Sequence, residues 1–204
     1  MVLIAASAYP ASSAGLNAME NFMRTVKSGK ADFVQVVTAP PKDGQAARSK
    51  TSRGSFSFVR PQRFRFDYRQ PFEQTIVADG QTIWLYDVDL NQVTARKQSQ
   101  ALSSTPAALV AAAVDVKDLQ SDFVLQEQPD KDGLSWLQAT PKAKDGQIQQ
   151  LRVGFKGDLL AVLEIADSFG QRSVLTFQNF EANAAVPAST FQFKPPAGAD
   201  VVRQ

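Results

Sequence analysis

Between residues 54 and 69 the chain alternates aromatic and polar side chains with a period of two. Phe56 and Phe58 stand among serines, and Phe64, Phe66 and Tyr68 stand among Arg63, Arg65, Asp67 and Arg69. Successive side chains of a β-strand point to opposite faces, so these are two strands with one aromatic and one charged face. Pro61 falls at the connection, where its missing N–H does little harm. Two strands do not hold together alone in water. The rest of the chain has to supply more sheet and a cover for the rings.

It does so in a regular order. Leu16, Met19, Phe22, Met23 and Val26 recur at spacings of three and four, which predicts an N-terminal helix ended near Gly29. A first strand is predicted over 31–38, followed by a polar loop over 39–50. After the aromatic pair come strands over 74–78, 81–86 and 92–97, the first two joined by the hairpin dipeptide Asp79-Gly80. Thr105 as cap and Pro106 in the first turn then predict a short apolar helix over 107–113. Strand signals resume over 122–126, 134–139, 148–155, 159–165 and 172–180, and the tail 191–196 reads as a short edge segment. Regular spacing and antiparallel connections describe one large sheet, curled or partly closed. The whole is mainly β with short helices, one domain over 15–204.

Histidine and cysteine are both absent. That removes the commonest general base, the commonest transition-metal ligands, every thiol nucleophile and every disulfide. Neither a G-x-S-x-G elbow nor an S-x-x-K motif occurs, and the carboxylates are scattered on turns, so the chain reads as a protein without an active site, cofactor or metal. A formal charge of +2 gives no field that calls for nucleic acid as partner. The basic residues do concentrate, as Arg48, Lys50, Arg53, Arg60, Arg63, Arg65 and Arg69 with Asp67 opposing them. That stripe is either a solvated face of the sheet or a contact for an acidic patch on a partner or for anionic lipid heads.

Residues 1–14 carry an apolar run followed by small residues, with Ala6-Ser7-Ala8 and Ser12-Ser13-Ala14 as cleavage tripeptides. We read them as the remnant of a secretory signal, which predicts export. No later stretch approaches the ~18 apolar residues of a membrane span. A chain without cysteine also cannot be lipidated on one.

Four motifs in order, Phe58-Val59-Arg60-Pro61-Gln62-Arg63-Phe64-Arg65-Phe66, Val77-Ala78-Asp79-Gly80 with Ile83-Trp84-Leu85-Tyr86, Thr105-Pro106, and Phe191-Gln192-Phe193-Lys194-Pro195-Pro196, resemble the outer-membrane lipoprotein carrier (LolA) family. The match runs from about Leu16 to Val202. The resemblance implies an open, incomplete antiparallel β-barrel with a helical lid over an apolar concave face. It also implies the activity: acyl chains of lipoproteins are taken from an inner-membrane ABC transporter and delivered to an outer-membrane acceptor.

By the same resemblance Arg60 is the latch of the lid; its five fixed donors suit the unsatisfied carbonyls at the end of a short helix such as 107–113, and its plainer reading is a solvated arginine at a strand end. Phe56, Phe58, Phe64, Phe66, Tyr68 and Trp84 are candidates to line the acyl-chain cavity, as are Met19, Met23, Leu109 and Val110. The plainer reading of these side chains is core filling. Two other roles suit the same fold, an envelope module that senses lipid or lipoprotein, and the acceptor of the same route. A monomer is expected.

Overall fold

The computed structural model describes residues 13–41, 45–101, 115–144 and 146–204. Helix α1 (Ala14–Thr25) leads into β1 (Ser28–Thr38). A meander follows, of β2 (Ser49–Val59), β3 (Arg63–Gln70), β4 (Gln74–Asp79), β5 (Thr82–Asp87) and β6 (Gln92–Lys97). The short helices α2 (Gln98–Ala101) and α3 (Val116–Asp122) precede a second meander. It comprises β7 (Phe123–Lys131), β8 (Leu134–Pro141), β9 (Ile148–Lys156), β10 (Leu159–Asp167) and β11 (Arg172–Ala182). The helix expected over 107–113 lies outside the described residues, as do Leu109, Val110 and residues 1–12 of the leader expected over 1–14; its last residue, Ala14, is the first of α1.

Among the described residues, the twelve strands form one sheet in the order β12-β6-β5-β4-β3-β2-β1-β11-β10-β9-β8-β7, with β12 (Asp200–Arg203) and β7 at its ends. The two meanders join where β1 pairs with β11, Phe33 opposite Phe177. The sheet is mainly β, open and curled, as expected from the spacing of the strands.

The inner face carries the main core. Phe33, Phe56, Phe58, Phe64, Phe66, Phe155 and Phe177 cluster there with Met19, Phe22 and Met23 of α1, all under a tenth exposed. Each ring removed from water contributes roughly 1.5–3 kcal/mol. Helix α1 lies against β7, β8, β9 and β10. Its first free amides, Gly15 and Leu16, donate to the Glu127 carboxylate of β7 at 3.1 and 2.7 Å, in place of a local cap. Gly15 is required by closeness: a Cβ there would stand 2.4 Å from the Trp136 carbonyl oxygen of β8.

The C-terminal tail departs from expectation. Residues 188–191 form a 3-10 turn packed on β3 and β4, and 191–196 cross the outer face without pairing. Pro195 and Pro196 have no N–H to give a ladder. Past Gly198, at φ 77°, the chain turns and β12 pairs parallel with β6, Val201 opposite Val93. The edge strand is therefore 200–203, and the sheet is not wholly antiparallel. Under the tail lies a second apolar layer, in which Val77, Val93 and Phe191 are each at most 2% exposed.

Candidate functional site

The alternation in β2 and β3 sends its rings to the inner face, as the period of two requires. Phe56 stacks on Phe66 at 4.4 Å and on Phe58 at 5.5 Å, while Phe33 meets Tyr68 edge-on at 4.9 Å. Pairs in such geometries add about 0.5–1.5 kcal/mol beyond burial. Phe56, Phe58, Phe64 and Phe66 are buried among themselves and against α1, with Met19 and Met23 in the same cluster. Tyr68 sits one step further along β3 and is partly open. Its burial pushes the phenol up to about 12.

Trp84 does not join them. Ile83, buried in the inner cluster, occupies that face of β5. Trp84 points to the other side, where its ring lies 5.6 Å from Phe193 and its Nε1 donates to Asp79 Oδ2 at 3.1 Å. A side chain next to an inward one must face outward, so Trp84 belongs to the layer beneath the tail and is no cavity residue.

Arg60, in the turn between β2 and β3, lies against the C-terminal end of α1. Its Nε donates to the Val26 carbonyl oxygen at 3.0 Å, and its own amide donates to Lys27 O at 2.8 Å. The guanidinium lies over Phe22 at 5.3 Å and Phe58 at 5.4 Å. Burial lowers its pKa to about 10, so it remains a cation at neutral pH. Among the described residues the carbonyl it meets lies at the C-terminal end of α1, whereas the 107–113 helix expected as its partner lies outside them.

Two polar residues have structural roles that no motif announced. Gln98, 2% exposed at the start of α2, accepts from Gly80 N at 3.0 Å and donates to the Gln62 carbonyl at 2.6 Å. It ties the Arg60 turn to the β4–β5 turn. Glu127 holds the first turn of α1, as described above. Both act on residues distant in the chain, so periodicity gave no sign of them.

At the other end of the inner face, away from α1 and Arg60, a cavity of about 810 Å³ opens. Val37 and Tyr68 line it along the strands and the exposed Phe72 and Leu90 on turns at its edge, and polar side chains, among them Arg48, Lys50, Asp87 and Asp89, make up much of the rest. The Lys50 ammonium sits 4.6 Å over the Phe72 ring. On the outer face the basic stripe is partly covered. Arg63 lies over Phe191 at 5.7 Å, and Arg65 pairs with Asp67 at 2.7 Å while donating to Thr190 O at 3.2 Å. Among the described residues no cluster of acidic side chains could hold a metal ion, and no helix is long and apolar enough to cross a membrane.

Comparison with known proteins agrees with this architecture. The family profile described as "Outer membrane lipoprotein carrier protein LolA" matches residues 24–194. A protein of Albidiferax ferrireducens named outer-membrane lipoprotein carrier protein is 64% identical over 207 residues, spanning 100% of this chain and 97% of the relative. One of the same name from Leptothrix cholodnii is 55% identical over 205 residues, spanning 100% and 93%. A crystal structure of an uncharacterised conserved protein from Thermus thermophilus superposes with a TM-score of 0.54 at 12% identity, over 93% of this chain and 98% of that one. That last likeness concerns the fold alone.

Proposed function

Since the chain belongs to the outer-membrane lipoprotein carrier (LolA) family, we propose that it is a periplasmic chaperone that shelters the acyl chains of lipoproteins between the two membranes. The observation that carries this reading is a curled sheet whose inner face is lined with phenylalanine and opens, beside Tyr68, into a cavity of about 810 Å³. Each methylene kept from water is worth about 0.8 kcal/mol, and lipoprotein acyl chains hold dozens of them. Passage through the aqueous periplasm therefore needs an apolar container. The carrier works by binding, without a covalent step, and as a monomer. It receives its cargo from an inner-membrane ABC transporter and gives it to an outer-membrane acceptor.

The inner aromatic residues Phe56, Phe58, Phe64, Phe66 and Tyr68, with Met19 and Met23, form the surface that parts to admit the chains. Thioethers and unbranched contacts suit a wall that must re-form around varied chains. Arg60 acts as the latch that keeps the empty carrier closed, with Leu109 and Val110 in the segment it restrains. A buried cation on helix-end carbonyls and two rings is stable while α1 and β2 stay together, and is costly to leave half-made. The Arg60→Leu variant is expected to take up lipoprotein as before and to pass on about tenfold less; transfer at the wild-type level would remove the latch. The binding claim is tested by mixing the protein with one lipoprotein in acylated form and in a form whose lipidated cysteine is replaced by serine. Co-elution of the acylated form alone supports it, and equal retention of both forms overturns it.

A further inference from the structure

Among the described residues, the large apolar side chains most open to solvent gather at one end of the molecule. Phe72 is 56% exposed, Leu90 71% and Phe169 72%. They stand on three separate connections, β3–β4, β5–β6 and β10–β11; Phe72 and Leu90 border the 810 Å³ cavity themselves, and Phe169 stands two residues before Gln171, which also borders it. The third connection lies beside the end of β1, where a Cβ at Gly170 would be 3.6 Å from Pro40.

The tips are braced rather than loose. Asp87 Oδ1 accepts from Leu90 N at 3.1 Å, and Asn91 N donates to Val88 O. Asp167 Oδ1 accepts from both Phe169 N at 2.9 Å and Gln171 N at 2.8 Å. These carboxylates spend their acceptors on the turns, and Lys50 covers one side of the Phe72 ring. Turns fixed in this way hold apolar side chains outward beside the opening. The opposite end of the inner face is filled by Phe22 and Met23 against Phe58 and Phe155.

Resting on the carrier reading above, we infer that Phe72, Leu90 and Phe169 form the rim over which acyl chains enter and leave the cavity. A chain moving from an apolar donor into the protein exposes methylenes to water as it crosses, and this raises the barrier in both directions. Apolar side chains at the threshold lower that barrier without holding the chain once it is inside. The rim therefore governs rates, whereas residues deeper along β3, such as Tyr68, govern affinity.

The experiment uses the whole protein and a fluorescent peptide whose N-terminal cysteine is triacylated, with uptake and release followed by stopped flow. Phe72→Ser, Leu90→Ser and Phe169→Ser together are expected to slow both uptake and release at least fivefold and to leave Kd within twofold. The replacement set Phe72→Leu, Leu90→Phe and Phe169→Leu is expected to keep wild-type rates. All six changes lie on exposed tips, and circular dichroism and Tm verify that the variants fold. If wild-type protein does not bind the peptide, the carrier reading itself fails. If it binds and the serine variant keeps its rates, the rim assignment alone fails. A weaker Kd at unchanged uptake would make these residues cavity wall and also overturn it. So would normal peptide kinetics with loss of binding to phospholipid vesicles, which would assign the rim to a membrane surface.

Discussion

Tyr68 reports on the inner face because its phenol lies between the packed rings and the open cavity. Burial raises its pKa to about 12, above the ordinary value of 10.0. The unfolded chain thus loses this proton first as pH rises. Between about pH 10 and 12 the native state holds more protons, and stability falls across that window. An alkaline titration followed by tyrosinate absorbance should show one tyrosine ionising late, and Tyr68→Phe should abolish that late step. If the late step survives the substitution, Tyr68 is not where we place it. Arg60 shifts in the other sense, down to about 10, and is still charged at neutral pH. The Arg-Pro pair singles it out only through the family motif, whereas its affinity for helix-end carbonyls follows from the guanidinium itself. Trp84 could not be placed the same way. Its motif, Ile83-Trp84-Leu85-Tyr86, lacks polar alternation, and only pairing with β4 decides that Ile83 faces in and Trp84 out.

At the scale of elements, β2 and β3 meet at a point that tolerates no side chain. A Cβ on Gly54 would sit 2.0 Å from the Asp67 carbonyl oxygen and 2.9 Å from the Phe33 ring. Gly54→Ala should therefore cost about 1–3 kcal/mol or more, as overpacking does, measured by urea unfolding. An unchanged midpoint would mean the two strands are further apart than described. The tail makes a second case. Phe191, 2% exposed, anchors it on β3 and β4, and Phe191→Ala should cost about 3–5 kcal/mol if the tail unfolds with the domain. If the tail opens by itself, the loss appears instead as faster amide exchange in β12 with little change elsewhere. The strands of both meanders were readable because each has a clear hydrophobic period and turn residues at its ends. Strand β12 has four residues and no pattern, so its parallel pairing with β6 was invisible. Helix α3 had a usable sign that went unread: Asp115 caps it, accepting from Asp118 N at 3.0 Å.

For the whole molecule, the order of strands follows from two meanders folded back so that β1 meets β11, and the ends β12 and β7 stay apart. An open sheet of this kind can widen without breaking its ladder, which a closed barrel cannot do. The family and its fold were legible because four motifs occur in order along the chain. The braced rim of Phe72, Leu90 and Phe169 was not, since exposed apolar residues on turns have no periodicity and gain meaning only when the sheet brings the turns together.

The most direct test incubates the purified protein with inner-membrane vesicles that contain the lipoprotein-releasing transporter, a radiolabelled lipoprotein and ATP. We predict that label leaves the membrane as a soluble one-to-one complex with this protein. Label that stays with the vesicles, although the protein is folded and the transporter hydrolyses ATP, would contradict the carrier function.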